Sequence, residues 1–234
     1  MSVQRKLVLR QEKVILIAVV LILASVIGIF AYRTYQQEIA KTNTLPEKAA
    51  LSVTLGDASA ADTVVVYTDP VCDKCTQYHE ETLKPLYDEY VTTKKIKLEI
   101  RPVSIVTEQS AALTELLMCS NEQGRYWQMS EFINDALSRK NNQTLVVNAA
   151  TFFVDFPSSA ISDTLTKSYD APIDTAKLQS CLDATRYDEK IKQADTQAYA
   201  ANIYSTPTTF IGEQEPVRGY SIYPFIKSLV DITI

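Results

Sequence analysis

The stretch "VVVYTDPVCDKCTQYHEETL", Val64 to Leu83, passes from strand grammar through a turn into helix grammar around two cysteines. Together with Thr63, the β-branched run at its start suits a buried central strand. Asp69 and Pro70 then stop it, as an N-cap candidate followed by proline at a helix start. From there Cys75, His79, Leu83, Leu86 and Tyr90 recur three or four apart and define one helical face. Pro85 lies inside that helix and should kink it, because proline has no N–H. Two cysteines two residues apart are open to three readings at this point: a redox centre, half of a metal site, or a structural disulfide.

"KIKLEIRPV", Lys95 to Val103, alternates Ile96, Leu98 and Ile100 against lysine, glutamate and arginine, which predicts a second strand. Strand, helix, strand of this length implies parallel pairing through a right-handed crossover. A mostly helical block follows. "SAALTELLMCSNEQG" stops at Gly124, and "RYWQMSEFINDALSR" places Tyr126, Trp127, Phe132, Ile133 and Leu137 at helical spacing. "LVVNAATFFVDF" is read as helix up to Pro157, with Phe152 and Phe153 as core residues. "DTAKLQSCLDA" has Asp174 as its cap, and "RYDEKIKQADTQAYAANI" is a longer amphipathic helix. Strand grammar returns at "TPTTFIG", with "EPVRGY" as its hairpin partner and "SIYPFIKSLVDI" as a closing helix.

The chain has 234 residues, 46% of them hydrophobic and 22% charged, which is a globular composition. A net charge of −5 gives no electrostatic reason to expect nucleic acid as a partner. The N-terminus is different in kind. "VILIAVVLILASVIGIFAY", Val14 to Tyr32, carries no charge, and its length is near the ~20 residues that cross a bilayer as a helix. Arg5, Lys6, Arg10 and Lys13 precede it, so residues 1–13 are expected in the cytoplasm and the rest across the membrane. A cleaved signal peptide has a shorter apolar region and a small-x-small site, and "FAYRTYQQEIA" has none that convinces. The expected organisation is a cytoplasmic N-terminus at 1–13, an anchor at 14–32, a polar linker at 33–52 and a domain at 53–234. All four cysteines then lie where disulfides form and persist.

With these elements in place, the residues resemble a known family. "GDASAADTVVVYTDPVCDKCTQYHEETLKPLYDEY", "MCSNEQGRYW" and "SCLDATRYDEKIKQADTQAYAANIYSTPTTFIG" look like the DsbA-type thiol–disulfide oxidoreductases. The resemblance covers roughly Leu51 to the C-terminus. It implies an α/β thioredoxin-like fold with a helical insertion at about 107–202, here preceded by one N-terminal transmembrane helix. It also implies a cis proline at Pro207, after Thr206, beside the cysteine pair. Two departures stand out. The family often has proline and an aromatic residue or histidine between the cysteines, whereas Asp73 and Lys74 lie there. The usual Asn-Gly after the last apolar strand is replaced by Gly212-Glu213.

What the family implies for function is a Cys72–Cys75 redox pair that oxidises thiols of exported proteins and is itself reoxidised by a membrane partner. Cys72 at a helix start would have backbone N–H groups and the positive dipole end near its sulfur, which lowers a thiol pKa. Cys75, one turn on and more buried, would be the resolving cysteine. The Lys74 charge would favour the thiolate and that of Asp73 oppose it, both weakly in solvent. Without a histidine between the cysteines, a less extreme oxidant than the strongest family members is expected. The backbone of Thr206 would pair with an extended substrate segment.

Other readings stand beside this one. They are a reductase or isomerase of the same fold, a structural disulfide at Cys72–Cys75, and a peptide-binding or metal-binding module. Zinc commonly takes four ligands, and the chain holds one histidine and no second Cys-x-x-Cys, so no metal is expected. His79 reads as a partly buried helix residue. Cys119 and Cys181 are either a disulfide, which would remove two thiols from beside an oxidising centre, or two separate buried cysteines. No phosphate loop, nucleotide motif or serine-type triad appears, and no cofactor is expected.

Overall fold

β2 (Asp62–Thr68) is the centre of a five-stranded sheet in the order β1-β3-β2-β4-β5. In this computed structural model, residues 3–42, 45–46, 49–107, 109–140 and 156–234 are described. β3 (Ile96–Pro102) runs parallel to β2, with Val64 opposite Leu98 and Val66 opposite Ile100. β4 (Thr208–Ile211) is antiparallel to β2 on its other side, with Tyr67 opposite Thr208. β5 (Val217–Arg218) completes the terminal hairpin. At the other edge β1 (Val53–Leu55), which the sequence reading missed, pairs antiparallel with β3.

Both faces of the sheet are covered, and this is why Val64–Tyr67 is one continuous apolar run rather than an alternation. Val64 and Val66 join the main core with Ile96, Leu98 and Ile100. Val65, Tyr67 and Phe210 join a second cluster on the opposite face. The same double cover corrects the reading of β3. Arg101, taken for a solvent-facing residue, is buried and is held by Glu99, by the Tyr67 hydroxyl at 2.9 Å and by the Pro46 carbonyl at 2.7 Å. A buried guanidinium is tolerated because its donors are met.

The crossover from β2 to β3 is a helix broken by its own register. α2 (Asp73–Tyr78) passes into a π-helical turn at His79–Leu83, the short α3 (Lys84–Leu86) and a second π-helical turn at Tyr87–Val91. Pro85 explains the break. It has no N–H to give to a carbonyl four residues back, and its ring would crowd that carbonyl. The widened turns on either side absorb the misfit. The predicted face survives, with Cys75, His79, Leu83, Leu86 and Tyr90 all buried.

The helical block contains α4 (Ser110–Asn121), α5 (Tyr126–Lys140), α6 (Ser158–Tyr169), α7 (Thr175–Asp183) and α8 (Asp188–Ala200). Asp174 caps α7 by accepting from the N–H groups of Ala176 and Lys177. Tyr126, Trp127 and Phe132 are core residues. The helix expected over Leu145–Phe156, with Phe152 and Phe153, lies outside the described residues except for Phe156. α6 was not anticipated. Its signals are local: Ile161 and Leu165 one turn apart, and Asp170 in the left-handed conformation that ends it. α9 (Tyr223–Asp231) closes the chain.

The chain forms two compact units, Met1–Thr44 and Leu45–Ile234. The first contains the helix Val3–Thr42, called α1, of which Ile15–Gln37 is long and apolar enough to cross a membrane. The stretch read as a linker, 33–52, is therefore shared between the units. Its first part continues α1. In its last part Leu51 enters the core and the Ala50 N–H donates to Gln197 Oε1 at 2.7 Å.

Candidate active site

β2 ends at Thr68, and the turn that follows is organised by Asp69. The sequence reading took Asp69 as a helix N-cap. It is instead a fully buried carboxylate three residues upstream, accepting from the N–H groups of Val71 at 3.0 Å and Val106 at 2.9 Å. It thereby ties the loop after β3 to the turn after β2. Burial raises the pKa of Asp69 above the usual carboxylate range, against the pull of those two N–H groups.

The N-cap of α2 is Cys72. Its backbone is extended (φ −77°, ψ 116°) and its sulfur accepts from the Cys75 N–H at 3.3 Å, where a serine or aspartate oxygen usually sits. The sulfur thus shares the Cys75 N–H with the Cys72 carbonyl, which accepts from it at 2.9 Å. Both Cys72 and Cys75 are free thiols. They are 9% and 5% exposed, so attack on Cys72 uses a narrow opening.

β-sheet register brings the remote part of the site to these sulfurs. Because Thr208 opens β4 opposite Tyr67, the two residues before it fall beside the turn after β2. The Thr206–Pro207 peptide is cis. The Cys72 thiol donates to the Thr206 carbonyl at 3.4 Å. The Thr206 hydroxyl is buried and has no well-formed hydrogen bond among the described residues, so it acts on the sulfurs as a neighbouring dipole. The Tyr78 and Thr209 hydroxyls, 2.8 Å apart, pin α2 to β4 below the site.

These contacts divide the two thiols. A hydrogen bond from Cys75 is the largest influence holding the Cys72 thiol down to about 6, with further help from Thr206 and from the N–H groups of Cys75 and Lys74, while burial opposes it. The Cys75 thiol is pushed well above its ordinary value, first by burial and then by the neighbouring Cys72. Lys74 acts on Cys72 through its backbone N–H. Its ammonium is turned to Gln77 Oε1 at 3.1 Å and lies over the Tyr220 ring. Asp73 is exposed in the first turn of α2.

The other expected residues lie apart from this pair. Cys119 on α4 and Cys181 on α7 are joined by a disulfide, with Cα atoms 5.8 Å apart. Glu115 lies beside them in a three-residue grouping of metal-ligand type, but both sulfurs are already bonded to each other. His79 is buried behind Cys75, its ring 4.8 Å from that of Trp127. Sequence reasoning missed the anchoring role of Asp69. The available signal was an aspartate before proline, and that pattern has a commoner meaning as a cap.

A family model described as thioredoxin matches residues 48–219. The chain belongs to the thioredoxin family. Within it, this thioredoxin-family chain has the DsbA-like form of the fold. It is similar to alpha-DsbA1 of Wolbachia pipientis at 16% identity and a TM-score of 0.63, covering 81% of this chain and 92% of that one. It is similar to MdbA, a thiol-disulfide oxidoreductase from Actinomyces oris, at 18% identity and a TM-score of 0.61, covering 82% and 94%. BdbD from Bacillus subtilis, in its oxidised form, matches at 16% identity and a TM-score of 0.60, covering 77% and 91%. No curated protein matches the chain. At these identities the likeness to solved structures speaks to fold.

Proposed function

We propose that this chain is a membrane-tethered, extracytoplasmic protein thiol–disulfide oxidoreductase that oxidises thiols of exported proteins through Cys72 and Cys75. One observation carries the reading: the Cys72 sulfur is the N-cap of α2, 3.4 Å from the Thr206 carbonyl and held near a pKa of 6. A thiol so placed is mostly thiolate at neutral pH, which makes it a good leaving group and favours the reduced pair.

The oxidised pair would act in two steps. A substrate thiolate attacks the Cys72 sulfur, a new sulfur–sulfur bond forms, and the Cys72–Cys75 bond breaks. Its electron pair goes to Cys75, which takes up a proton because its pKa is well above the ordinary value. A second substrate thiolate then attacks the substrate sulfur of the mixed disulfide, and Cys72 leaves as a thiolate. The substrate loses two electrons and the pair gains them. A membrane oxidant, of the kind the family uses, must then take the two electrons away. Thr206 and Pro207 are the proposed substrate-binding residues, and ionisation of Cys72 frees the Thr206 carbonyl from the thiol that now donates to it.

The purified chain, with Cys72 and Cys75 first oxidised to a disulfide, should oxidise a peptide with two cysteines in stoichiometric amount, and Cys72→Ser should abolish this. Offered a disulfide-bonded peptide, Cys75→Ala should accumulate mixed disulfides, because Cys72 attacks the peptide disulfide and no resolving thiolate releases it. A chain that exchanges no disulfide under these conditions overturns the proposal. Equilibration with a glutathione buffer separates oxidant from reductase or isomerase: a thiolate held near pH 6 calls for a potential well above that of a typical structural disulfide. The tether is read from α1 and from the basic residues that precede its apolar run. Cell fractionation should find the full chain in the membrane and a chain beginning at Leu45 in the soluble fraction.

A further inference from the structure

A small cavity of about 30 Å³ lies behind the broken helix. Cys75 lines it and Cys72 does not. The polar groups around it include His79, Asp69, Ser130 and Asn134. His79 is 5% exposed, and its Nε2 has no protein hydrogen-bond partner among the described residues. Its ring is fixed against Trp127, which stacks in turn on Tyr87 with centroids 4.2 Å apart.

A buried ring nitrogen without a partner gives up its hydration for nothing, so a native structure keeps one only for a reason. Space for a water begins at about 10–15 Å³ on this measure, and a buried water needs two to four polar partners. The cavity meets both conditions. Its position has a chemical meaning as well, because Cys75 is the sulfur that must receive an electron pair in a buried place.

We propose that the cavity is a one-water site joining His79 Nε2 to Cys75 Sγ, and that His79 is the positioning residue for the leaving thiolate. The inference rests on Cys72–Cys75 being an exchanging pair. When the Cys72–Cys75 bond breaks and the electron pair moves to Cys75, the water held by Nε2 donates an O–H to that sulfur. No proton leaves the ring, and Cys75 then takes a proton from solvent. A neutral ring suits this role, and burial together with the Lys84 charge keeps His79 neutral down to a pH of about 3. The titratable and charged groups facing Cys75 and His79 are Cys72, Asp69, Tyr78 from α2, Tyr126 from α5, and Lys84 with its partner Glu131.

The test is a titration of Cys75 that uses no turnover. In the full chain carrying Cys72→Ser, Cys75 is the remaining free thiol, because Cys119 and Cys181 are bonded. Its ionisation is followed by the rate of iodoacetamide alkylation against pH, read by intact mass. His79→Leu should reduce the thiolate fraction at a given pH by roughly tenfold, one pKa unit. His79→Gln, which keeps an amide to hold the water, should recover most of it. The proposal is overturned if His79→Leu leaves the Cys75 titration unchanged, or if His79→Gln lowers it as far as His79→Leu does, since packing alone then explains the effect. If circular dichroism shows His79→Leu unfolded, His79→Met replaces it in the same comparison. Because the readout is ionisation, a parent chain without exchange activity and a Cys75 indifferent to His79 are separate results.

Discussion

The Cys72 sulfur takes a hydrogen bond from the Cys75 thiol and further support from Thr206 and two backbone N–H groups, and each of these favours its charged form. The direction of its pH dependence follows. The thiolate is present above about pH 6 and is lost as pH falls through that value. Alkylation of Cys72 should therefore reach half its limiting rate near pH 6 and fall about tenfold per unit below it. Cys75→Ala removes the largest favourable contact and should move that midpoint toward the ordinary thiol value of 9.0. Thr206→Val should shift it the same way by less, since the carbonyl and the N–H groups stay. Rate measurements against pH on the three proteins check the order.

At the scale of elements, long-range ties hold the helical block. The Cys119–Cys181 disulfide joins α4 to α7 across 62 residues. In the chain-entropy estimate, closing so long a loop contributes up to about 4 kcal/mol. Replacing both cysteines by alanine should lower denaturant stability by up to that amount while leaving the Cys72 titration in place, because neither residue touches the redox pair. The β4–β5 hairpin depends on Gly212, whose φ of +55° lies in the left-handed region. A Cβ there would stand 2.7 Å from Thr233 Cγ2. Gly212→Ala should cost about 1–2 kcal/mol from the backbone alone, measured by equilibrium unfolding. The site is exposed to such changes because β4 carries Thr206 and Pro207 to the sulfurs.

For the whole domain, His79 sets a pH dependence of stability. Its folded pKa of about 3 lies below the unfolded value near 6.5, so between those limits the unfolded chain binds a proton that the folded chain refuses. Stability present above pH 6.5 is lost as pH falls, with a limiting slope of about 1.4 kcal/mol per pH unit from this residue. Asp69 and Glu115, whose pKa values are raised by burial, act in the opposite sense. The difference between the natural chain and His79→Gln isolates the histidine: the natural chain should lose ground to the variant steadily from pH 6.5 to pH 4.5. Urea unfolding at several pH values reads this directly.

Local chemistry determined much of this protein without help. An uncharged apolar run marks α1, β-branching marks β2, a three-or-four spacing marks the buried face after Cys72, and a short motif with "STPTTFIG" downstream marks the site. These features act through neighbours in the chain, so they are written in order along it. What the tertiary structure decided are the contacts between distant residues. Antiparallel pairing of β4 with β2 brings Thr206 to Cys72, 134 residues away. Cover on both sheet faces buries Arg101, the turn geometry makes Cys72 rather than Asp69 the cap, and packing of Trp127 against His79 shapes the space behind Cys75. Burial and register depend on what lies opposite, and no single stretch of sequence carries that information.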